Sequence, residues 1–171
     1  MSVSRLFQIL APFALFCVFA APPIAAHPDH HSEDLEEEPS AFDPPVISSQ
    51  ADVARLETLQ GISLQWISWD ERGEISITRD EGVWYLSGAQ YDASGAGLQV
   101  SGVIKEIGED YFLLDGRITI GDTPDIGRSC DADRLWRFEV TQGRSYYRLS
   151  EYEWCDYLTD YVDIYFAPGL R

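Results

Sequence analysis

The chain has 171 residues, 12 basic and 29 acidic side chains, and a formal net charge of −17. A surface of that sign repels nucleic acid and anionic membranes, whose binding needs a basic footprint, so neither is an expected partner. Aromatic residues make up 13% of the chain, enough to build a sizeable core.

The first segment sets the compartment. Arg5 gives a positive start, Leu6 to Ala20 is apolar apart from Gln8, and small residues follow at Ala20, Ala21, Ala25 and Ala26. Residues 1–26 therefore read as a signal peptide, cut after Ala26 or Ala20. The apolar run is short for a membrane span, which needs about 20 residues, and Phe16 before Cys17 is too large for a lipobox. The expected product is exported, without stable membrane insertion after cleavage.

Residues 27–48 have linker composition, with histidines, acids and prolines and few large apolar groups. Such a stretch buries too little surface to offset its ordering entropy and is predicted to be disordered. His27, His30 and His31 form a candidate metal set, strengthened by the new terminal amine if cleavage falls after Ala26. Pro28 removes one amide that a tight amino-terminal copper motif would use, so a loosely binding, solvated tail is the favoured reading.

From residue 49 to 171 the pattern is that of one β domain with a short helix in front. Ser49 and Asp52 have the form of a capping box, and Val53, Leu56 and Leu59 follow at helical spacing; Gly61 is expected to stop the helix. Eight short strands follow, separated by turn signals. Ile62, Leu64 and Trp66 open the first, with a bulge expected near Trp66. Ile75 and Ile77 mark the second, Trp84 and Leu86 the third. Leu98, Val100 and Ile104 mark a fourth, with a kink or bulge expected at Gly102. The fifth alternates most clearly, with Phe112, Leu114, Ile118 and Ile120 on one face. A long connection from Gly121 to Asp133, containing Cys130, precedes Trp136, Phe138 and Val140; Tyr147 and Leu149 make the seventh strand. Tyr161 to Phe166 closes the domain, with Val162, Ile164 and Phe166 inward.

This order predicts an all-β fold, an antiparallel meander of about eight strands rolled into a small barrel, with a two-sheet sandwich as the alternative. Trp66, Trp84, Phe112, Trp136, Phe138 and Phe166 form the expected inward set, which argues for a filled core. After the leader is removed only Cys130 and Cys155 remain, and an even pair in an oxidising compartment is expected to form a disulfide.

The chemistry is defined largely by what is missing. Beyond His31 the chain has no histidine, so the commonest general base is absent from the β domain. No serine sits in a nucleophile elbow and no glycine loop has the phosphate-cradling pattern. The expectation is a binding module rather than an enzyme, with no cofactor. The catalytic alternative is a glycosidase-like pair of carboxylates. Two acidic groups, Asp122, Asp125, Asp131 and Asp133 in one and Asp156, Asp160 and Asp163 in the other, are weighed as calcium ligands, with solvated turn aspartates as the favoured reading. The aromatic set Trp69, Tyr146, Tyr152, Trp154, Tyr157, Tyr161 and Tyr165 offers rings to stack a sugar or anchor a protein. Trp69, Tyr152, Trp154 and Tyr157 are the candidate ligand-binding residues.

Gly102-Val103-Ile104-Lys105-Glu106-Ile107, Tyr111-Phe112, Tyr147-Arg148-Leu149 and the closing run Cys155-Asp156 with Thr159-Asp160-Tyr161-Val162-Asp163-Ile164-Tyr165-Phe166 resemble an uncharacterised family of small exported bacterial proteins. The resemblance spans about residues 60 to 166. It implies a periplasmic or secreted domain of a Gram-negative bacterium with the same cysteine pair, and it carries over no catalytic residue. The strand order is also similar to the calycin or lipocalin architecture, although Gly61-Ile62-Ser63 does not supply the usual glycine-x-tryptophan. The expected partner is a small ligand or an envelope protein, bound by a monomer.

Overall fold

The computed structural model describes residues 43–170. The expected signal peptide, the expected linker up to residue 42 and the candidate metal set His27, His30 and His31 lie outside them.

Within this span the chain forms β1 (Val46–Ile47), α1 (Gln50–Leu56), β2 (Leu59–Leu64), β3 (Glu74–Asp80), β4 (Val83–Tyr91), β5 (Gly97–Gly108), β6 (Tyr111–Gly121), β7 (Ser129–Glu139), β8 (Tyr146–Leu149) and β9 (Val162–Phe166). From β3 to β9 each strand pairs antiparallel with the next, and β2 pairs with β9, giving the order β2-β9-β8-β7-β6-β5-β4-β3. A single bridge between Ile62 and Gly73 brings β2 back toward β3, so the eight strands form a nearly closed barrel. The barrel, rather than the sandwich, is the architecture.

Alternation explains the core. On β6, Phe112, Leu114, Ile118 and Ile120 point inward and are buried. They meet Trp136 and Phe138 of β7, Tyr147 and Leu149 of β8, and Val162, Ile164 and Phe166 of β9. Phe112 stacks on Phe138 at 5.1 Å between ring centroids and meets Tyr147 edge-on at 5.0 Å. These large side chains occupy the interior.

One end of the barrel is covered by α1. Ser49 is its N-cap, accepting from the Asp52 amide at 3.2 Å and donating to Asp52 Oδ2 at 2.6 Å. The helix ends at Leu56, earlier than expected, with Glu57 as C-cap. Gly61 does not stop it; the glycine lies inside β2 with φ +142°, where the register against β9 shifts. The opposite end carries the loop 65–73, the connection 122–128 and the long loop 150–161.

Four further expectations are corrected. Residues 43–48 are not linker, because Val46 and Ile47 pair in parallel with Glu106 and Ile107 of β5. The first barrel strand ends at Leu64 and turns, so Trp66 is outside the core, 37% exposed, with its indole Nε1 donating to Asp160 Oδ1 at 2.9 Å. The β5 bulge falls between Ile104 and Glu106, three residues after Gly102. Cys130 belongs to β7, opposite Ile120, and the connection before it is correspondingly short.

Candidate functional site

The loop after β8 begins at Ser150 and is held at three places. Cys130 on β7 is bonded to Cys155 with 5.9 Å between their Cα atoms. Trp154 turns its ring onto the interior Trp136, edge to face at 5.2 Å. Arg128, with a side chain only 5% exposed, reaches over from the β6–β7 connection. Its Nε and Nη2 donate to Asp156 at 2.8 and 2.7 Å, and Nη1 and Nη2 donate to Asp160 at 3.0 and 2.7 Å. The Arg128 guanidinium holds the Asp156 carboxyl down at about 2, and the hydrogen bonds it donates to Asp156 push the arginine's own titration further up.

Such contacts engage five of the seven aspartates weighed as calcium ligands. Asp156 and Asp160 face Arg128, Asp131 faces Arg117, and Asp163 faces Arg148, while Asp122 accepts from the Gly127 amide at 2.7 Å. The four carboxylates that face guanidinium groups have little left for a cation. Cys130, Cys155 and Asp156 do converge, but the two sulfurs are bonded to each other and are not metal donors.

The aromatic candidates separate into three places. Trp69, 43% exposed, stands on the loop after β2 and lies 5.7 Å from the Arg148 guanidinium. Arg148 also lies 4.0 Å over Tyr161 and 5.3 Å over Tyr146, and Tyr152 meets Tyr161 at 5.3 Å. Trp69, Tyr146, Tyr152 and Tyr161 thus share one outer wall, with Arg72 stacked on Tyr165 at 3.7 Å beside them. Arg148 is fixed there by paired bonds of 2.7 Å to Asp163, which is fully buried although it points outward from β9. Burial pushes the Asp163 carboxyl up despite the opposing pull of Arg148. Tyr157, by contrast, stands apart at the loop tip with φ +65° and 93% exposure. Trp154 is inward-facing rather than displayed.

Ser150, Tyr152 and Trp154 nevertheless line one shallow cleft of about 320 Å³, together with Arg134, Glu151 and Glu153. Among the described residues, two buried side-chain polar atoms make no hydrogen bond to another protein atom: the Ser150 hydroxyl and the Trp154 indole N–H. Both belong to residues of this cleft. Buried polar groups are nearly always paired, so two unpaired on one loop are a specific feature. Ser150 and Arg134 were not legible as site residues; Arg134 takes an inward register on β7 yet stays exposed, its guanidinium 4.0 Å over Trp136.

Fold and site together define a small antiparallel barrel with a filled interior, a helix over one end and a disulfide-tied loop over the other. The family model described as the PM1083 family matches residues 44–166, and the chain belongs to that family. It is 38% identical over 106 residues to "Uncharacterized protein PM1083" of Pasteurella multocida (strain Pm70), an alignment covering 61% of this chain and 69% of the relative. No solved structure gives a significant match. Membership of an uncharacterised bacterial family therefore stands, without support for the closing block as its signature or for kinship with calycins.

Proposed function

We infer that the protein is an exported binding module, acting in the periplasm or outside the cell, whose ligand sits on the barrel's outer surface rather than inside it. The observation that carries this reading is the pair of unpartnered polar groups, Ser150 Oγ and Trp154 Nε1, in residues of a single cleft. An indole N–H only donates, and a hydroxyl gives or takes, so a ligand that displaces the loop enough to reach these two buried atoms would meet them with oxygen. Glu151 and Glu153 offer acceptors at its rim, and the exposed Tyr152 offers a ring face. A neutral or amino saccharide matches all three demands, with hydroxyls for the polar groups and an apolar C–H face for the tyrosine. An anionic sugar is disfavoured by the two glutamates.

Ligand transport within the barrel has less in its favour, since Trp136, Phe112, Phe138, Tyr147 and Phe166 fill the interior. Catalysis by Glu151 and Glu153 also has less support. A general acid needs a carboxyl kept protonated by an apolar pocket, and both glutamates are exposed.

The five tryptophans give five indole N–H resonances, assignable by single substitutions. Titrating the exported protein with soluble neutral and amino saccharides of bacterial envelopes is expected to move the Trp154 signal and to leave that of Trp84, on β4, in place. Ser150→Ala should weaken binding about fivefold, the effect of one hydrogen bond, without loss of stability. A shift confined to Trp84, or no shift with any saccharide, would refute the reading.

A further inference from the structure

The barrel is not sealed between β2 and β3. Among the described residues the Ile62–Gly73 bridge is the one backbone connection of this seam, with Gly73 N donating to Ile62 O at 2.8 Å and Ile62 N to Gly73 O at 3.2 Å. At the other end of the seam the Arg79 guanidinium pairs with Glu57 at 2.5 Å. Between these two ties β3 pairs only with β4 and β2 only with β9. The facing edges therefore present backbone N–H and C=O groups with no strand opposite them. Such an edge is a template for another extended chain unless it is covered.

The floor of the opening is apolar. Leu59, Ile75 and Ile77 pack against the core but stay partly exposed there, because no strand covers them on the seam side. Two adjoining grooves run along the seam, of about 390 Å³ beside Leu56 and Ile77 and about 550 Å³ beside Gly61 and Ile75. The rim is acidic on balance: Glu74 lines the groove at the start of β3 and Asp80 and Glu81 follow at its end, while Arg79 is met by Glu57 and Arg72 packs beside Gly61.

We propose that this seam is a second binding site, which takes an extended, cationic peptide segment of a partner protein as an added strand on the free edge of β3. Backbone hydrogen bonds to that edge supply register, and alternate apolar side chains of the guest cover Leu59, Ile75 and Ile77. Basic residues on the other parity face the acidic rim. The acidic rim also argues against occupation by the chain's own residues 27–42, which are rich in Asp and Glu. The site is separate from the saccharide cleft, which lies at the opposite side of the barrel order on β7 and the loop after β8.

The test uses the full exported chain and a short synthetic peptide in which valine and lysine alternate. Binding in about the ten-micromolar range is expected, with slowed hydrogen exchange at the amides of residues 74–78. A peptide of the same sequence and charge, N-methylated on alternate amides, should bind at least about tenfold more weakly, because it cannot donate to the strand edge. Equal binding of the N-methylated peptide would reduce the effect to charge attraction and overturn the proposal. So would protection mapping elsewhere. Protection of the same amides without peptide would do so too, since it would mean the edge is covered by the chain itself if it persists on dilution, or by a second copy if it is lost.

Discussion

The Tyr147 hydroxyl, inside the barrel on β8, donates to Asp52 Oδ1 on α1 at 2.7 Å, and this bond ties the capping helix to the core. Asp52 is almost fully buried, and it also receives Arg55 Nη1 at 2.8 Å, the Ser49 hydroxyl at 2.6 Å and the Asp110 amide at 3.1 Å. One carboxylate thus joins the helix cap, the β5–β6 turn and the interior. Arg55 extends the tie to Asp110 Oδ1 at 2.6 Å and to the Leu170 carbonyl at 2.7 Å.

The pH dependence of stability follows from this group. Burial works against the Asp52 charge, but bonds from Ser49, Tyr147, Arg55 and the Asp110 amide outweigh it and hold the carboxyl below 3.8. A lowered native value gives stability that is present above about pH 4 and lost as the pH falls through that lower value. Asp163 acts in the opposite sense: burial raises it, so between 3.8 and its native value the folded state holds the extra proton and stability declines as pH rises. Tyr147, raised first by burial and then by Asp52, stays protonated when an unfolded tyrosine ionises near 10, so stability falls as the pH rises above that point. Urea midpoints should therefore drop below about pH 4 and again above about pH 10. Tyr147→Phe should reduce the alkaline loss, leaving the part contributed by Tyr165, raised by burial, and Tyr111, raised by its bond to Glu106, while costing about 1–2 kcal/mol at neutral pH. An unchanged alkaline limb in that variant would place the titration elsewhere.

Arg128→Ala should destabilise the domain by about 3–5 kcal/mol, the effect of leaving a buried charge without its partner, here Asp160. Arg128→Lys should recover only part, because a single ammonium cannot serve both carboxylates through the forked geometry seen here. Chemical denaturation measures both. Full recovery with lysine would show that charge alone, and not the fork, holds the two loops.

Reduction of the Cys130–Cys155 bridge, which closes a separation of 25 residues, should lower stability by about 3–4 kcal/mol on the chain-entropy model. The local effect is more specific. With the loop released, Trp154 loses its seat against Trp136 and its emission should shift to the red, whereas Trp84 on the far side of the barrel order keeps its surroundings. Retained Trp154 emission after reduction would mean that Arg128 alone anchors the loop.

The barrel was legible because its strands alternate, most plainly from Phe112 to Ile120, where one parity carries the core. The helix start was legible because Ser49 and Asp52 satisfy each other within a few residues of sequence. What escaped depends on distant partners. The polar run Asp131-Ala132-Asp133-Arg134 looks like loop, yet it is strand, since Arg117 on β6 neutralises Asp131 across the sheet. Trp66 continued an inward parity until the chain turned after Leu64, and its place was then set by Asp160, 94 residues on. The cleft at Ser150 rests on two hydrogen bonds not made, and no sequence pattern reports those. Nearness to Cys155 in sequence groups Trp154 with Tyr157, although one faces the core and the other solvent.

Gly102 and Gly116 give the most direct test of how the barrel curves. They oppose each other on the inward face of β5 and β6, in the row Leu86, Gly102, Gly116 and Arg134 that crosses four strands. A Cβ on Gly102 would overlap the Asp115 carbonyl, and one on Gly116 would overlap the Ser101 carbonyl, so the obstacle is backbone and cannot swing aside. The Trp136 indole takes advantage of the bare position, donating to the Gly116 carbonyl at 2.8 Å. Alanine at either site should therefore cost about 3 kcal/mol through forced backbone movement. Gly121→Ala on the same strand is the matched control, because its Cβ would meet nothing within 4 Å. That substitution should be neutral or stabilise by about 0.4–1 kcal/mol, since it restricts the unfolded chain. Equal effects at Gly116 and Gly121 in chemical denaturation would show that glycine acts here through the unfolded chain, and that the close approach of β5 and β6 is not what bends the wall.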